Sequence, residues 1–138
     1  ERAGPVLGDL FIRGEDEEYS WRLARAGFRF ELVRAAVLDH PGPLELKHIS
    51  WLGKHFFWEE GLSPWKLYYK VRNAVWMSCR DGAVARAVLM ACMQLMVLLI
   101  ADHKRNFREQ ILCWRAVLLA VAHGWRGQLG RLNRPWAP

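Results

Sequence analysis

Four successive carboxylates, Glu15, Asp16, Glu17 and Glu18, stand where the apolar run Leu10-Phe11-Ile12 gives way to helix-forming sequence, and a histidine, His40, follows in Leu38-Asp39-His40-Pro41. A carboxylate held at a helix start can keep its oxygens within hydrogen-bond reach of a hydroxyl and act as a general base. Neutral imidazole, with carboxylates and a diphosphate, can complete the coordination of Mn2+ or Mg2+. Neighbouring helical residues project about 100° apart, so only one or two of the four acids can face one pocket. Asp16, the shorter acid at the boundary, is the candidate base. The plainer readings are that the acids supply solvated charge favoured by the helix dipole, and that His40 is a surface residue like others in a chain that also carries His48 and His55. The spacing of those three histidines matches no usual zinc pattern, and no CxxC or CxxH pair occurs.

The elements that would position these groups can be read from period and punctuation. Acids crowd the first turn of a helix from about Glu15 to Ala26, whose Tyr19, Leu23 and Ala26 share one face and which Gly27 stops. Phe28, Phe30 and Leu32 alternate with Arg29 and Glu31, the period of a half-buried strand, and Ala35 to Leu38 offers a second extended piece ended by His40-Pro41-Gly42. From Leu44 to Trp76 the chain is rich in aromatics and ambiguous until Ser63-Pro64, which opens a helix from about Trp65 to Cys79. After Asp81-Gly82, two apolar helices follow, Val84 to about His103 and about Arg108 to His123, the second closed by Gly124.

The chain has 138 residues, 52% of them hydrophobic, enough for one domain with a sizeable core but short for an enzyme with separate donor and acceptor sites. It opens on Glu1 with no signal-peptide pattern, as the middle of a longer chain would. Cys79, Cys92 and Cys113 are odd in number and set in apolar surroundings, which favours a reducing compartment. The net charge of +6 implies an anionic partner, with the acids gathered between Asp9 and Glu31 and the bases after Lys66. The basic residues are dispersed among apolar ones, which argues against nucleic acid. Neither apolar helix reaches the roughly twenty residues needed to cross a bilayer. They read as a buried hairpin or as a hairpin lying on a membrane, with Lys104, Arg105, Arg108, Arg126 and Arg131 near headgroups. The composition shift near residue 81 divides the chain into a core part, 1–80, and a helical part, 81–131, before a disordered tail, 132–138.

The run Leu10-Phe11-Ile12-Arg13-Gly14-Glu15-Asp16-Glu17-Glu18-Tyr19-Ser20-Trp21-Arg22-Leu23, then Gly27, then Val37-Leu38-Asp39-His40, resembles the pattern of galactofuranosyl- and rhamnosyltransferase-type members of glycosyltransferase family 2. Trp65-Lys66-Leu67-Tyr68-Tyr69-Lys70-Val71-Arg72-Asn73 resembles a second block of that family, and the likeness covers roughly residues 7 to 80. It implies an α/β fold, the C-terminal part of a Rossmann-like GT-A domain, followed by a mainly α-helical region, with helix dominating overall. It implies an inverting transfer of a sugar from a nucleotide-sugar donor to a glycan or lipid-linked acceptor, on the cytoplasmic side, with attachment to the inner face of the membrane. By resemblance, Asp16 is the catalytic base with Glu15 beside it. Glu18, Tyr69, Arg72 and Asn73 lie on the acceptor side, and His40 completes a divalent metal site. The sequence departs from the family in having no D-x-D for metal and diphosphate and no Gly-rich phosphate loop. The expectation is therefore a C-terminal fragment that lacks the donor half and does not turn over alone. The alternative from another class is a non-catalytic, basic, Trp-rich module for membrane surfaces.

Overall fold

The computed structural model describes residues 2–37, 46–51, 54–59, 61–100 and 105–132. In chain order these form a 3-10 turn (Gly8–Leu10), α1 (Glu15–Arg25), β1 (Leu46–Trp51), β2 (Lys54–Glu59), α2 (Pro64–Arg80), α3 (Val84–Ile100) and α4 (Phe107–Trp125). β1 and β2 form an antiparallel hairpin in which Leu46 faces Glu59 and Trp51 faces Lys54.

The fold is helical, and the expected Rossmann-like α/β arrangement is overturned. The hairpin is the one sheet among the described residues, and it is antiparallel. Residues 28–37, where alternation predicts extended strands, have no strand pairing. Phe28, Phe30 and Leu32 are 50%, 61% and 92% exposed, so the two-residue period has no sheet neighbour and no core behind it. The run Leu10-Phe11-Ile12 leaves the 3-10 turn at Leu10 and reverses tightly at Phe11.

The helices follow the sequence signals closely. Pro64 occupies the first turn of α2, where its missing N–H removes nothing. Asn106 caps α4 by accepting from the Glu109 backbone N–H at 2.8 Å. The expected stop at Gly124 is corrected: α4 runs on to Trp125, and Gly127, with φ of 67°, closes it. The Gln128 N–H bonds the His123 carbonyl at 2.9 Å and the Gly127 N–H bonds the Gly124 carbonyl at 3.2 Å, the paired bonds of a left-handed helix stop. Gly124 has a different task. A Cβ there would lie 2.5 Å from the Arg72 carbonyl oxygen and 3.0 Å from Val75, so its bare backbone sets the distance between α2 and α4.

α2 is the centre of the packing. Leu67, Tyr68, Val71 and Val75 pack with Cys113, Ala116, Val117 and Ala120 of α4 and with Ala87 and Leu98 of α3 in one core cluster. The small residues facing α2 from α4 let the backbones approach closely. α3 and α4 run antiparallel: the Gln110 side chain donates to the Leu98 carbonyl at 2.7 Å at one end, and Val88 and Ala91 meet Val121 and Trp125 at the other. No helix among the described residues is long and apolar enough to cross a membrane.

Candidate functional site

The acids at the start of α1 are presented by an unusual stretch of backbone. Phe11 has φ 65° and ψ −62°, and the Ile12 N–H reaches back to the Leu10 carbonyl at 2.8 Å, which makes Phe11 the centre of a γ-turn. Arg13 and Gly14 follow at φ 68° and 87°. Non-glycine residues in this region cost on the order of 1–3 kcal/mol each and persist only where the surroundings over-determine them.

What over-determines them is α2. The Asn73 amide donates to the carbonyls of Leu10, Ile12 and Arg13 at 3.0, 3.0 and 2.6 Å. Arg72, wholly buried, donates from Nη2 to the carbonyls of Leu10 at 3.0 Å and Asp9 at 3.3 Å, from Nη1 to Gly130 at 2.5 Å, and from Nε to Asn73 Oδ1 at 2.9 Å. Its guanidinium carbon lies 4.8 Å from the centre of the Tyr69 ring and 5.6 Å from that of Tyr68. The Tyr69 ring also packs against Phe11, with centres 4.9 Å apart, and its hydroxyl accepts from the Leu132 N–H at 2.9 Å. A buried charge stays in place only when its donors are satisfied, and here carbonyl oxygens and ring faces do that. The Tyr69-to-Asn73 stretch thus ties residues 9–13 and 130–132 to one helix.

Glu18 is fully buried, 2.9 Å from Arg22 Nε and 2.7 Å from Arg80 Nη1. Arg22 also donates to the carbonyls of Ala3 and of Pro5 at the surface, the latter at 2.7 Å. Glu18 therefore locks α1 to the end of α2 and to the N-terminal segment.

Glu15 and Asp16 face outward from this frame into a cleft of about 520 Å³. Its other wall carries Glu59 at the end of β2, with Arg13 Nη1 at 2.8 Å and Lys70 Nζ at 3.1 Å, and its floor includes Asn73, Ala74, Met77 and Met90. Burial pushes the Glu59 carboxyl up, but the hydrogen bond from Arg13 and the charge of Lys70 outweigh it and hold the group below its ordinary range. Asp16 is exposed, and one of its oxygens accepts from the Glu17 backbone N–H at 2.9 Å. Glu15 Oε2 is buried without a hydrogen-bond partner among the described residues. A buried carboxylate oxygen left without a donor carries a desolvation penalty.

The cleft brings together Glu15, Asp16 and Asn73 from the predicted site residues. Glu18, Tyr69 and Arg72 are buried behind it, their polar atoms engaged within the chain, so their position is that of supports. His40 lies outside the described residues. Among the described residues no three His, Cys, Asp or Glu side chains are grouped to hold a metal ion. Sequence reasoning missed Arg13, Glu59 and Lys70. Lys70 has a signal: it precedes Asn73, Ala74 and Met77 at helical spacing on one face of α2. Glu59 had none, because it sits in the aromatic-rich stretch whose hairpin register the sequence does not declare. Comparison with protein-family models, with curated proteins and with solved structures found no match for this chain.

Proposed function

We propose that the cleft is the acceptor side of an inverting sugar-transfer site. The observation that supports this reading is the meeting of two sequence blocks: Arg72 and Asn73 bond the backbone of residues 9–13, the segment that presents Glu15 and Asp16. In this reading Asp16 takes the proton of an acceptor hydroxyl as its oxygen attacks the anomeric carbon of the donor sugar, and the nucleoside diphosphate leaves from the opposite face. Glu15 accepts a hydrogen bond from a neighbouring acceptor hydroxyl, and the paired Glu59, Arg13 and Lys70 form a polar wall for further hydroxyls. The donor belongs to another part of a longer chain. A divalent metal, Mn2+ or Mg2+, would serve that diphosphate with His40, and the described residues add no other group to such a site, so no step is assigned to a metal here. The Rossmann-like sheet is not part of the proposal.

The test uses the enzyme with its donor-binding part in place. Asp16→Asn keeps shape and removes the base, so transfer should fall about 10²–10⁴-fold while acceptor affinity changes little. Transfer at the wild-type rate would remove Asp16 from the chemistry.

A second reading rests on α3, which leaves Leu89, Met96, Leu99 and Ile100 more than half exposed. Together with the +6 charge, this suits a module that lies on a membrane surface. Retention on vesicles with no sugar transfer in the complete enzyme would favour it over the first.

A further inference from the structure

Glu17 of α1, Met77 of α2 and Met90 of α3 all border the carboxylate cleft, and one helical turn away Trp21, Asp81 and Arg86 border an open recess of about 440 Å³. On α1 the step runs from Glu17 to Trp21, and on α2 from Met77 to Asp81 at its C-terminal cap. α3 runs back after the turn at Asp81-Gly82, so there the step is from Met90 to Arg86. Residues four apart share one helix face, and a turn advances about 5.4 Å. All three helices therefore lead from the cleft to the recess in the same direction. The two cavities are successive stretches of one groove between α1 and α3, with α2 beneath.

The two stretches differ in charge. The cleft holds Glu15, Asp16 and Glu17 beside the mutually paired Glu59, Arg13 and Lys70, whereas the recess holds Arg25, Asp81 and Arg86. Arg25 bonds both oxygens of Asp81, at 3.2 and 2.9 Å, and Arg80 Nε lies 3.6 Å from the same carboxylate, so the charge of Asp81 is balanced within the chain. Arg86 is exposed and pairs with no acid among the described residues. An unpaired surface arginine is ordinary by itself. Arg86 differs in sharing a recess with the indole of Trp21, which is 37% exposed, and with Ala24 and Ala83, whose small side chains leave room for a guest. An indole face suits the C–H groups of a sugar ring, and a guanidinium presents paired donors that fit a carboxylate or a phosphate. A glycan with a free hydroxyl at the acid end and an anionic group further along would match both stretches.

We propose that the recess is a second acceptor subsite, in which Trp21 packs on a sugar ring and Arg86 binds a carboxylate or phosphate carried by the glycan. The acceptor is then an acidic oligosaccharide lying along the groove, with its reacting hydroxyl at Asp16. This rests on the sugar-transfer reading and deepens it by naming the acceptor class. A uronate and a sugar phosphate offer Arg86 the same anionic oxygens.

The test is retention of the complete enzyme, donor-binding part included, on an array of immobilised mono- to hexasaccharides in neutral, uronate-bearing and phosphate-bearing forms. Acidic tetrasaccharides should be retained at least tenfold more strongly than neutral ones of the same length. They should exceed acidic monosaccharides by a similar factor, since a single sugar cannot occupy both stretches. The uronate and phosphate arms show which group supplies the charge. Arg86→Glu should lower retention of acidic glycans at least tenfold and leave that of neutral ones unchanged, with Arg86→Lys intermediate. Trp21→Ala should weaken neutral and acidic glycans alike. Arg86 is exposed and unpaired, so Arg86→Glu should keep the wild-type urea midpoint, and the test survives a misfolded Trp21→Ala. Asp16→Asn should keep retention while losing transfer. Transfer lost in Asp16→Asn together with retention indifferent to Arg86→Glu would overturn the subsite and leave the sugar-transfer reading standing. Transfer kept in Asp16→Asn together with retention that needs Arg86 would remove that reading and leave the glycan subsite. Equal retention of acidic and neutral glycans, or retention of none, would overturn the proposal.

Discussion

Asn73→Ala tests whether α2 holds the segment in front of the acids. The amide has two N–H groups shared among three carbonyls at 2.6–3.0 Å, and its oxygen accepts from buried Arg72. Removing it leaves the carbonyls of Ile12 and Arg13 without this donor, while Leu10 keeps its bond from Arg72. A buried polar group left unpaired costs about 1–3 kcal/mol, and the bond to a charged guanidinium is worth roughly 1.5–3 kcal/mol. The loss is offset in part, because Phe11 and Arg13 can then leave their positive-φ conformations and release about 1–3 kcal/mol each. The expected net is a destabilisation of about 2–4 kcal/mol, with the backbone of residues 10–14 no longer fixed. Urea unfolding reads the first, as a lower midpoint at unchanged slope. Hydrogen exchange reads the second, as faster exchange at Ile12, whose N–H closes the γ-turn. A change below about 0.5 kcal/mol with unaltered exchange at Ile12 would refute the reasoning.

Three further outcomes follow from the same packing. Glu18→Gln keeps the shape but replaces two charge-assisted bonds, to partly exposed Arg22 and Arg80, with weaker ones or none, and should cost about 1–3 kcal/mol, read by urea unfolding. Gly124→Ala gains up to about 1 kcal/mol of helix propensity but places a methyl group against the Arg72 carbonyl, so a net loss of about 1–3 kcal/mol and a lower melting temperature are expected. The third concerns pH. Burial, with repulsion from Arg126 and Arg72, holds His123 below its ordinary 6.5, and Nδ1 sits 2.7 Å from the Tyr68 hydroxyl. Just below pH 6.5 the unfolded chain binds a proton that the folded one resists, so stability falls as pH drops below about 6.5, and His123→Gln should flatten that slope. Burial also raises Tyr68 above its ordinary 10.0, despite the opposing charge of Arg72, so a second loss is expected as pH climbs past 10.

The helices were legible because their signals are local. Acids in the first turn of α1 suit the helix dipole, and Pro64 at the start of α2 lacks only an N–H that would have had no helical partner. The sheet was not legible, because a two-residue period states only that alternate side chains differ. Burial of one side needs a partner, and Phe28, Phe30 and Leu32 have none. Gly124 misled for a related reason: glycine serves both to stop a helix and to let one approach another, and the distinction lies in α2, more than forty residues earlier. At the site, the helix start marks Asp16 as a candidate base, and Glu15 beside it enters only through the family resemblance. The roles of Arg72 and Glu18 could not be read, since a charged residue in a motif reads as ligand-binding until its burial is known.

That division has a physical basis. A side chain that must touch a substrate has to keep some polar valence free, and a side chain that fixes geometry has to use all of it. Arg72, Asn73 and Glu18 are buried with their donors or acceptors engaged, and they join segments some sixty residues apart. Asp16 is exposed and Glu15 lines the cleft beside it. Charge placed in the interior without a partner would destabilise the fold by several kcal/mol, so the buried set can be kept only where it is fully paired. The outward set is anchored through the backbone of α1 instead, and its carboxylates remain available. Substitutions should therefore separate cleanly: those in the buried set move stability first, and those at Glu15 and Asp16 leave stability nearly unchanged while altering what the cleft does.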